Sequence, residues 1–190
     1  MKRLLLIVLP LLLIVGCSKE PINYQTTLNY RDGVYYTKDT NKPYSGPVFS
    51  LIRKGLNKRE SILEDGKMIT YKEFEWHRNG QKEVEVTYKD GKREGLFIEW
   101  FVNGRKDSES TYKNGVRDGL YTGWHKNGQK RVEGTYKDGE PDGLVTWWHE
   151  NGQKEKEGTY KEWEEISSKC WDEDGNEYEC HKRDYYLIDD

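Results

Sequence analysis

Between Tyr71 and Trp163, large apolar side chains recur at every second position in short runs, and each run stops near a glycine. Phe74 and Trp76 precede Asn79-Gly80, and Val84, Val86 and Tyr88 follow it. Period-two alternation on both sides of Asn-Gly is the pattern of a β-hairpin. The pattern then repeats. Asn-Gly stands at Asn79-Gly80, Asn103-Gly104, Asn127-Gly128 and Asn151-Gly152, 24 residues apart each time. Trp76, Trp100, Trp124 and Trp148 keep that step, as do Tyr88, Tyr112, Tyr136 and Tyr160, and Gly91, Gly115 and Gly139. Several columns in phase at this period mark a repeat array. No stretch sustains the period of a helix.

The parity of the apolar positions bears on the turn. A two-residue loop puts Phe74 and Trp76 on the opposite face from Val84, Val86 and Tyr88. A three-residue loop, Arg78-Asn79-Gly80 with Gly80 left-handed in a bulge, puts them on one face. The three-residue loop is therefore expected, with the Trp and Tyr columns as ladders on a common face. Gly80, Gly104, Gly128 and Gly152 supply positive φ, and glycine columns leave room for the rings. The link from Lys89 to Gly95 is a second glycine-bearing turn. Strand, turn, strand, turn predicts an all-β fold: an elongated single-layer antiparallel β-meander of 24-residue hairpin repeats, rising about 10 Å per repeat.

The ends are less regular. Shifting by two periods plus one residue places Gly46 on Gly95, Gly55 on Gly104 and Gly66 on Gly115, so a worn copy covers roughly Tyr44 to Gly66. Terminal units degenerate because they cap the array. Past Tyr160 the pattern resumes loosely, with Asp174-Gly175 as one more hairpin turn and Trp171 near the Trp place. Cys170 and Cys180 flank that turn symmetrically. They share a face, directly opposite or one diagonal step off, which outside the cytoplasm allows a cross-strand disulfide; two free thiols are the alternative.

The unit Asp-Gly-x-x-x-Gly-Leu-x-x-x-Trp-x-x-Asn-Gly-x-Lys-x-x-x-x-Thr-Tyr-Lys, as at Asp90 to Lys113, resembles the MORN repeat in its bacterial variant. Proteins carrying this variant are widely labelled toxin–antitoxin system YwqK-family antitoxins. The resemblance covers about Gly33 to Trp163, and it implies a β-sheet repeat scaffold used for protein or lipid contact.

Composition and the N-terminus narrow the setting. Hydrophobic and charged residues each make up 34% of the chain, too polar for a thick core but suited to a thin sheet. Fourteen Tyr and seven Trp against two Met leave the burying to large rings. Lys2 and Arg3 precede an apolar run from Leu4 to Val15, which is short for a bilayer span of about 20 residues. The run ends in Ile14-Val15-Gly16-Cys17, which resembles the lipobox of bacterial lipoproteins. That resemblance implies cleavage before Cys17 and acylation of its thiol and amine, for a firm membrane anchor. A plain secretory leader and a short membrane anchor are the alternatives. Ser18 follows, and by the same resemblance the lack of Asp there favours the outer membrane, facing the periplasm or the cell surface, if the cell is Gram-negative. Residues 1–16 are thus read as a signal peptide, 17–32 as the lipidated N-terminus and tether, 33–165 as the array, and 166–190 as a capping hairpin. Losing two of the 31 basic residues with the leader, against 34 acidic ones, moves the charge from −3 to −5, unsuited to nucleic acid.

No reactive constellation stands out. His77, His125 and His149 share a column with Phe101. Members about 10 Å apart cannot share a metal ion, so they are read as solvated rings beside the turn. His181 stands alone. The acidic residues are dispersed, and neither a Ser-His-Asp set nor a phosphate-cradling loop occurs. The expectation is a non-enzymatic envelope scaffold, without cofactor or metal, that binds a protein partner and meets the membrane through acylated Cys17. An antitoxin or immunity protein and a membrane-lipid-binding repeat protein are the alternatives.

Overall fold

The structure, a computed structural model, describes residues 20–52 and 57–180. The leader, Cys17, Ser18, Gly55 and His181 lie outside the described residues.

From β4 (Gly46–Ile52) onward, neighbouring strands pair in chain order, antiparallel throughout: β5 (Asn57–Glu64), β6 (Lys67–Trp76), β7 (Lys82–Lys89), β8 (Lys92–Trp100), β9 (Lys106–Lys113), β10 (Val116–Trp124), β11 (Lys130–Lys137), β12 (Glu140–Trp148), β13 (Lys154–Lys161), β14 (Glu164–Trp171) and β15 (Glu177–Tyr178). The fold is the expected open meander, and the worn first copy is the β4–β5 hairpin.

Two turn chemistries alternate. In the first, His77 N–H donates to the Gln81 carbonyl and Gly80 N–H to the His77 carbonyl, both at 2.9 Å. Arg78-Asn79-Gly80 is thus a three-residue loop, with Gly80 at φ 85°. The same bonds recur at Phe101, His125, His149 and Asp172. The second link is tighter than the sequence reading had it. Lys89 pairs directly with Lys92, leaving Asp90 (φ 50°) and Gly91 (φ 76°) as a two-residue turn. Two successive positive φ values make a type I′ turn, whose twist matches that of the strands it joins. Glu162 and Trp163 take the same conformation without glycine, at φ 50° and 65°.

The expectation of one shared ring face is overturned. Trp76 lies opposite Lys82, but Glu75 lies opposite Val84, so Glu83 is an extra residue. A one-residue bulge reverses the parity of everything beyond it. Val84, Val86 and Tyr88 therefore share a face with Glu75, Glu73 and Tyr71, and Phe74 and Trp76 share the other with Glu85 and Lys82. The slip recurs before Trp100, Trp124 and Trp148. The Trp and Tyr columns lie on opposite faces.

The tyrosine face holds the core of the array. Tyr121, Val132, Tyr136, Val145, Trp147 and Tyr160 form one buried cluster. In a single layer these rings escape water by lying down. A Cβ on Gly158 would stand 2.6 Å from the Tyr160 ring, and one on Gly134 2.8 Å from Val145. Buried cations lie among the rings, which the sequence reading missed although Arg93 and Arg117 keep the 24-residue step. The Arg117 guanidinium is 4.8 Å from the Tyr121 ring centre and 5.0 Å from that of Tyr136. Lys156, also buried, pairs with Glu165 at 2.6 Å. Tyr160 Oη donates to the same carboxylate at 2.7 Å. Burial pushes Glu165 up, but hydrogen bonds from Lys156, Ser168 and Tyr160 outweigh it and lower the carboxyl to about 2.

Residues expected to be a tether are folded. β1 (Ile22–Asn23) pairs in parallel with Val48 and Phe49 of β4. Asn23 Oδ1 accepts from Gln25 N–H at 3.0 Å and caps α1 (Tyr24–Thr27). Tyr24 and Leu28, four apart and so on one side of that turn, pack on Tyr44, Val48 and Leu63. A single helical turn is too short to show as a period, so the segment reads as a tether in the sequence. β2 (Leu28–Arg31) and β3 (Val34–Thr37) form a separate two-stranded sheet. At the other end Cys170 and Cys180 form a disulfide with Cα atoms 5.4 Å apart. Cys170 faces Tyr178 directly, so the bridge is diagonal.

Candidate functional site

With the tyrosine face packed, the tryptophan face is the surface left for recognition. Its features follow from the bulge. Lysine and glutamate three apart on a strand would normally point to opposite faces. The extra residue between them brings both to one side, and Lys82–Glu85 pair at 2.7 Å and Lys130–Glu133 at 2.6 Å. Lys106–Glu109 and Lys154–Glu157 repeat the pair. Burial raises the Glu85 carboxyl, but hydrogen bonds from Lys82 and Lys72 prevail and hold it below its usual range. Each lysine also reaches the next repeat. Lys82 Nζ lies 4.9 Å from the Trp100 ring centre, Lys106 5.6 Å from Trp124, Lys130 5.7 Å from Trp148 and Lys154 5.9 Å from Trp171. Half-buried Trp rings and lysines thus alternate along the ribbon. Trp171 occupies the Trp place of a fifth unit.

The three-residue loops are laced to one another. His77 Nε2–H donates to the Trp100 carbonyl at 2.7 Å, His125 to Trp148 at 2.7 Å and His149 to Trp171 at 2.9 Å. These histidines are half-buried links between repeats, not the solvated rings expected, because the next loop brings a carbonyl within reach. Asn79 Nδ2 donates to the Val102 carbonyl at 2.8 Å, and Asn127 and Asn151 repeat this at 2.6 and 2.8 Å. Their Oδ1 atoms accept from Gln81, Gln129 and Gln153 N–H in their own loops. A Cβ on Gly104 would meet Gln81 Oε1 and one on Gly152 would meet Gln129 Oε1. Loop glycines therefore serve stacking as well as φ.

Nearer the type I′ turns runs an aliphatic lane. Leu96, Leu120 and Leu144 lie opposite Thr111, Thr135 and Thr159 and are 44%, 53% and 56% exposed. On β14 the lane's place falls to Ser167, opposite Thr159, and the extra residue Ile166 next to it is 60% exposed. Leu96 to Leu144 covers four strand steps, about 19 Å. This column keeps the 24-residue step in the sequence. At the N-terminal end of the same face lies an open trough of about 600 Å³, lined by Pro21, Pro47, Ile62, Ile69, Lys67 and Lys72 among others.

Among the described residues, no group of three or more His, Cys, Asp and Glu could hold a metal ion. No helix there is long and apolar enough to cross a membrane. Of the residues singled out from sequence, Tyr88, Tyr112, Tyr136 and Tyr160 pack on the buried side. Trp76, Trp100, Trp124 and Trp148 form the ladder on the other, and Gly80, Gly104, Gly128 and Gly152 turn the loops between them.

A family profile described as the MORN repeat variant matches three segments of the chain, residues 64–90, 117–138 and 141–162. The first covers the β5–β6 turn, β6 and β7; the others cover most of β10–β11 and β12–β13. No curated protein matches the chain.

Proposed function

We propose that this chain is a non-enzymatic scaffold of MORN-type repeats, anchored in the cell envelope by acylated Cys17, that binds a protein partner along the aliphatic lane of its tryptophan face. The observation that carries this reading is the exposure of Leu96, Leu120 and Leu144 at one position of successive repeats. Apolar side chains kept outside at a fixed step, on a sheet whose other face buries its rings, form a continuous surface rather than scattered accidents. The ion pairs beside the lane neutralise one another, so its recognition is apolar rather than electrostatic. A lane of about 19 Å matches the apolar side of a partner helix of about 13 residues. The test is photo-crosslinking in cells from residues 96, 120 and 144 in turn. One protein should be captured from residues 96, 120 and 144 alike, and Leu120→Asp should abolish capture from the flanking two. Different products at the three positions, or capture indifferent to Leu120→Asp, would remove the proposal.

A further inference from the structure

The four Asn-Gly loops carry a chemistry that turn formation does not use. In an Asn-Gly pair the glycine backbone nitrogen can attack the asparagine Cγ, because glycine has no side chain to block the approach. A C–N bond forms, the side-chain amide nitrogen leaves as ammonia, and the product is a cyclic imide. Bulk water then opens one of its two carbonyls, giving aspartate or isoaspartate. Nothing is oxidised or reduced.

The loops differ in how firmly they hold the asparagine away from this reaction. Every attacking nitrogen is engaged alike: Gly80, Gly104, Gly128 and Gly152 N–H donate to the carbonyls of His77, Phe101, His125 and His149 at 2.9, 2.8, 2.8 and 2.9 Å. The leaving amides are not. Asn79, Asn127 and Asn151 Nδ2 donate to the next loop at 2.8, 2.6 and 2.8 Å. Asn103 Nδ2 reaches the Lys126 carbonyl at 3.4 Å. Its neighbour competes for that acceptor. Arg105 stands where the other loops have Gln81, Gln129 and Gln153. Its Nη1 donates to the same Lys126 carbonyl at 3.3 Å and also to the Asn127 carbonyl. Phe101 takes the histidine's place in this loop, so the link from ring to carbonyl made at His77, His125 and His149 has no counterpart. Asn103 is exposed, and water reaches it.

We infer that Asn103 is the array's site of spontaneous deamidation, and that lacing to the next repeat protects Asn79, Asn127 and Asn151. Neither product has a side-chain N–H to give to the Lys126 carbonyl. Isoaspartate also adds one carbon to the backbone path of the loop between β8 and β9. The modification therefore loosens the second Asn-Gly loop from the third, in the middle of the ribbon.

The experiment incubates the full chain in mildly alkaline buffer and follows aspartate plus isoaspartate at each of the four positions by peptide mapping. Residue 103 should convert about two- to tenfold faster than residues 79, 127 and 151, the range set by one hydrogen bond. The chain unfolded in urea should convert all four at similar rates. In the folded protein, Arg105→Gln should slow residue 103 and leave the others unchanged; glutamine fills this place in the other three loops, so the fold accepts it. Equal rates in the folded chain would overturn the inference. So would a lead of residue 103 that persists in urea, since the cause would then lie in the local sequence, or a rate at residue 103 indifferent to Arg105→Gln.

Discussion

Replacing Gly158 by alanine tests how a one-layer sheet buries its rings. Gly158 needs no unusual backbone, since its φ lies outside the left-handed range. On backbone grounds alone, alanine in a strand should stabilise by about 0.5–1 kcal/mol. The new Cβ, however, meets the Tyr160 ring at 2.6, 3.1 and 3.1 Å. That ring cannot simply swing away, because Tyr160 is buried and its hydroxyl is held by Glu165. Overpacking of this kind costs about 1–3 kcal/mol, and loosening a hydrogen bond to a charged group adds about 1.5–3 kcal/mol. The net expectation is a loss of about 1.5–5.5 kcal/mol, combining those ranges with the backbone gain, read from the urea midpoint. Gly158→Ala in a Tyr160→Ala background should instead be neutral or mildly stabilising, because the obstructing ring is gone. Equal costs in the two backgrounds would refute the idea that the ring lies on the glycine.

Other outcomes follow from the same geometry. His125→Ala should cost about 1–3 kcal/mol, because the Trp148 carbonyl loses its donor; thermal melting reads it, and an unchanged midpoint would mean the lacing is incidental. Glu165 titrates at about 2 in the folded protein against a usual 4.5. Its depressed value means that its contribution is complete above 4.5 and is lost as pH falls through about 2. Acid titrations of the parent and of Glu165→Gln should therefore diverge above 4.5 and converge near pH 2. Reducing the Cys170–Cys180 bridge, ten residues apart, should lower stability by roughly 2–3 kcal/mol. Two free thiols in non-reduced protein would contradict the bridge.

Much of this architecture was legible because the chain repeats it. Asn-Gly at a step of 24 gave the hairpins. The three-residue loop at Arg78-Asn79-Gly80 was expected so that the rings would share a face; the loop is there, but the bulge at Glu83 puts the rings on opposite faces. The faces were not legible. A bulge adds one residue without any signature in residue type: Glu83, Asp107, Arg131 and Glu155 share neither charge nor size. The histidine links were hidden for a different reason. Their partners are backbone carbonyls 22 or 23 residues on, and a carbonyl leaves no trace in a sequence. Leu96, Leu120 and Leu144 and the lysines at 82, 106, 130 and 154 stood in plain columns. Leucine and lysine carry no turn signature and occur on either face of a strand, so their columns do not by themselves say which side they occupy. The folding of residues 22–31 rests on single side chains, Tyr24 and Leu28, filling the open end of the first hairpin.

In one extended layer, distance along the ribbon grows with strand count. Pulsed electron resonance between nitroxide pairs on the full chain measures this directly. Leu96 and Leu144 lie four strand steps apart, and Thr87 and Thr159 six. At about 4.8 Å per step the backbone separations should be about 19 and 29 Å. Two pairs at the same separation, or the longer pair closer than the shorter, would show a sheet folded back on itself and contradict the ribbon.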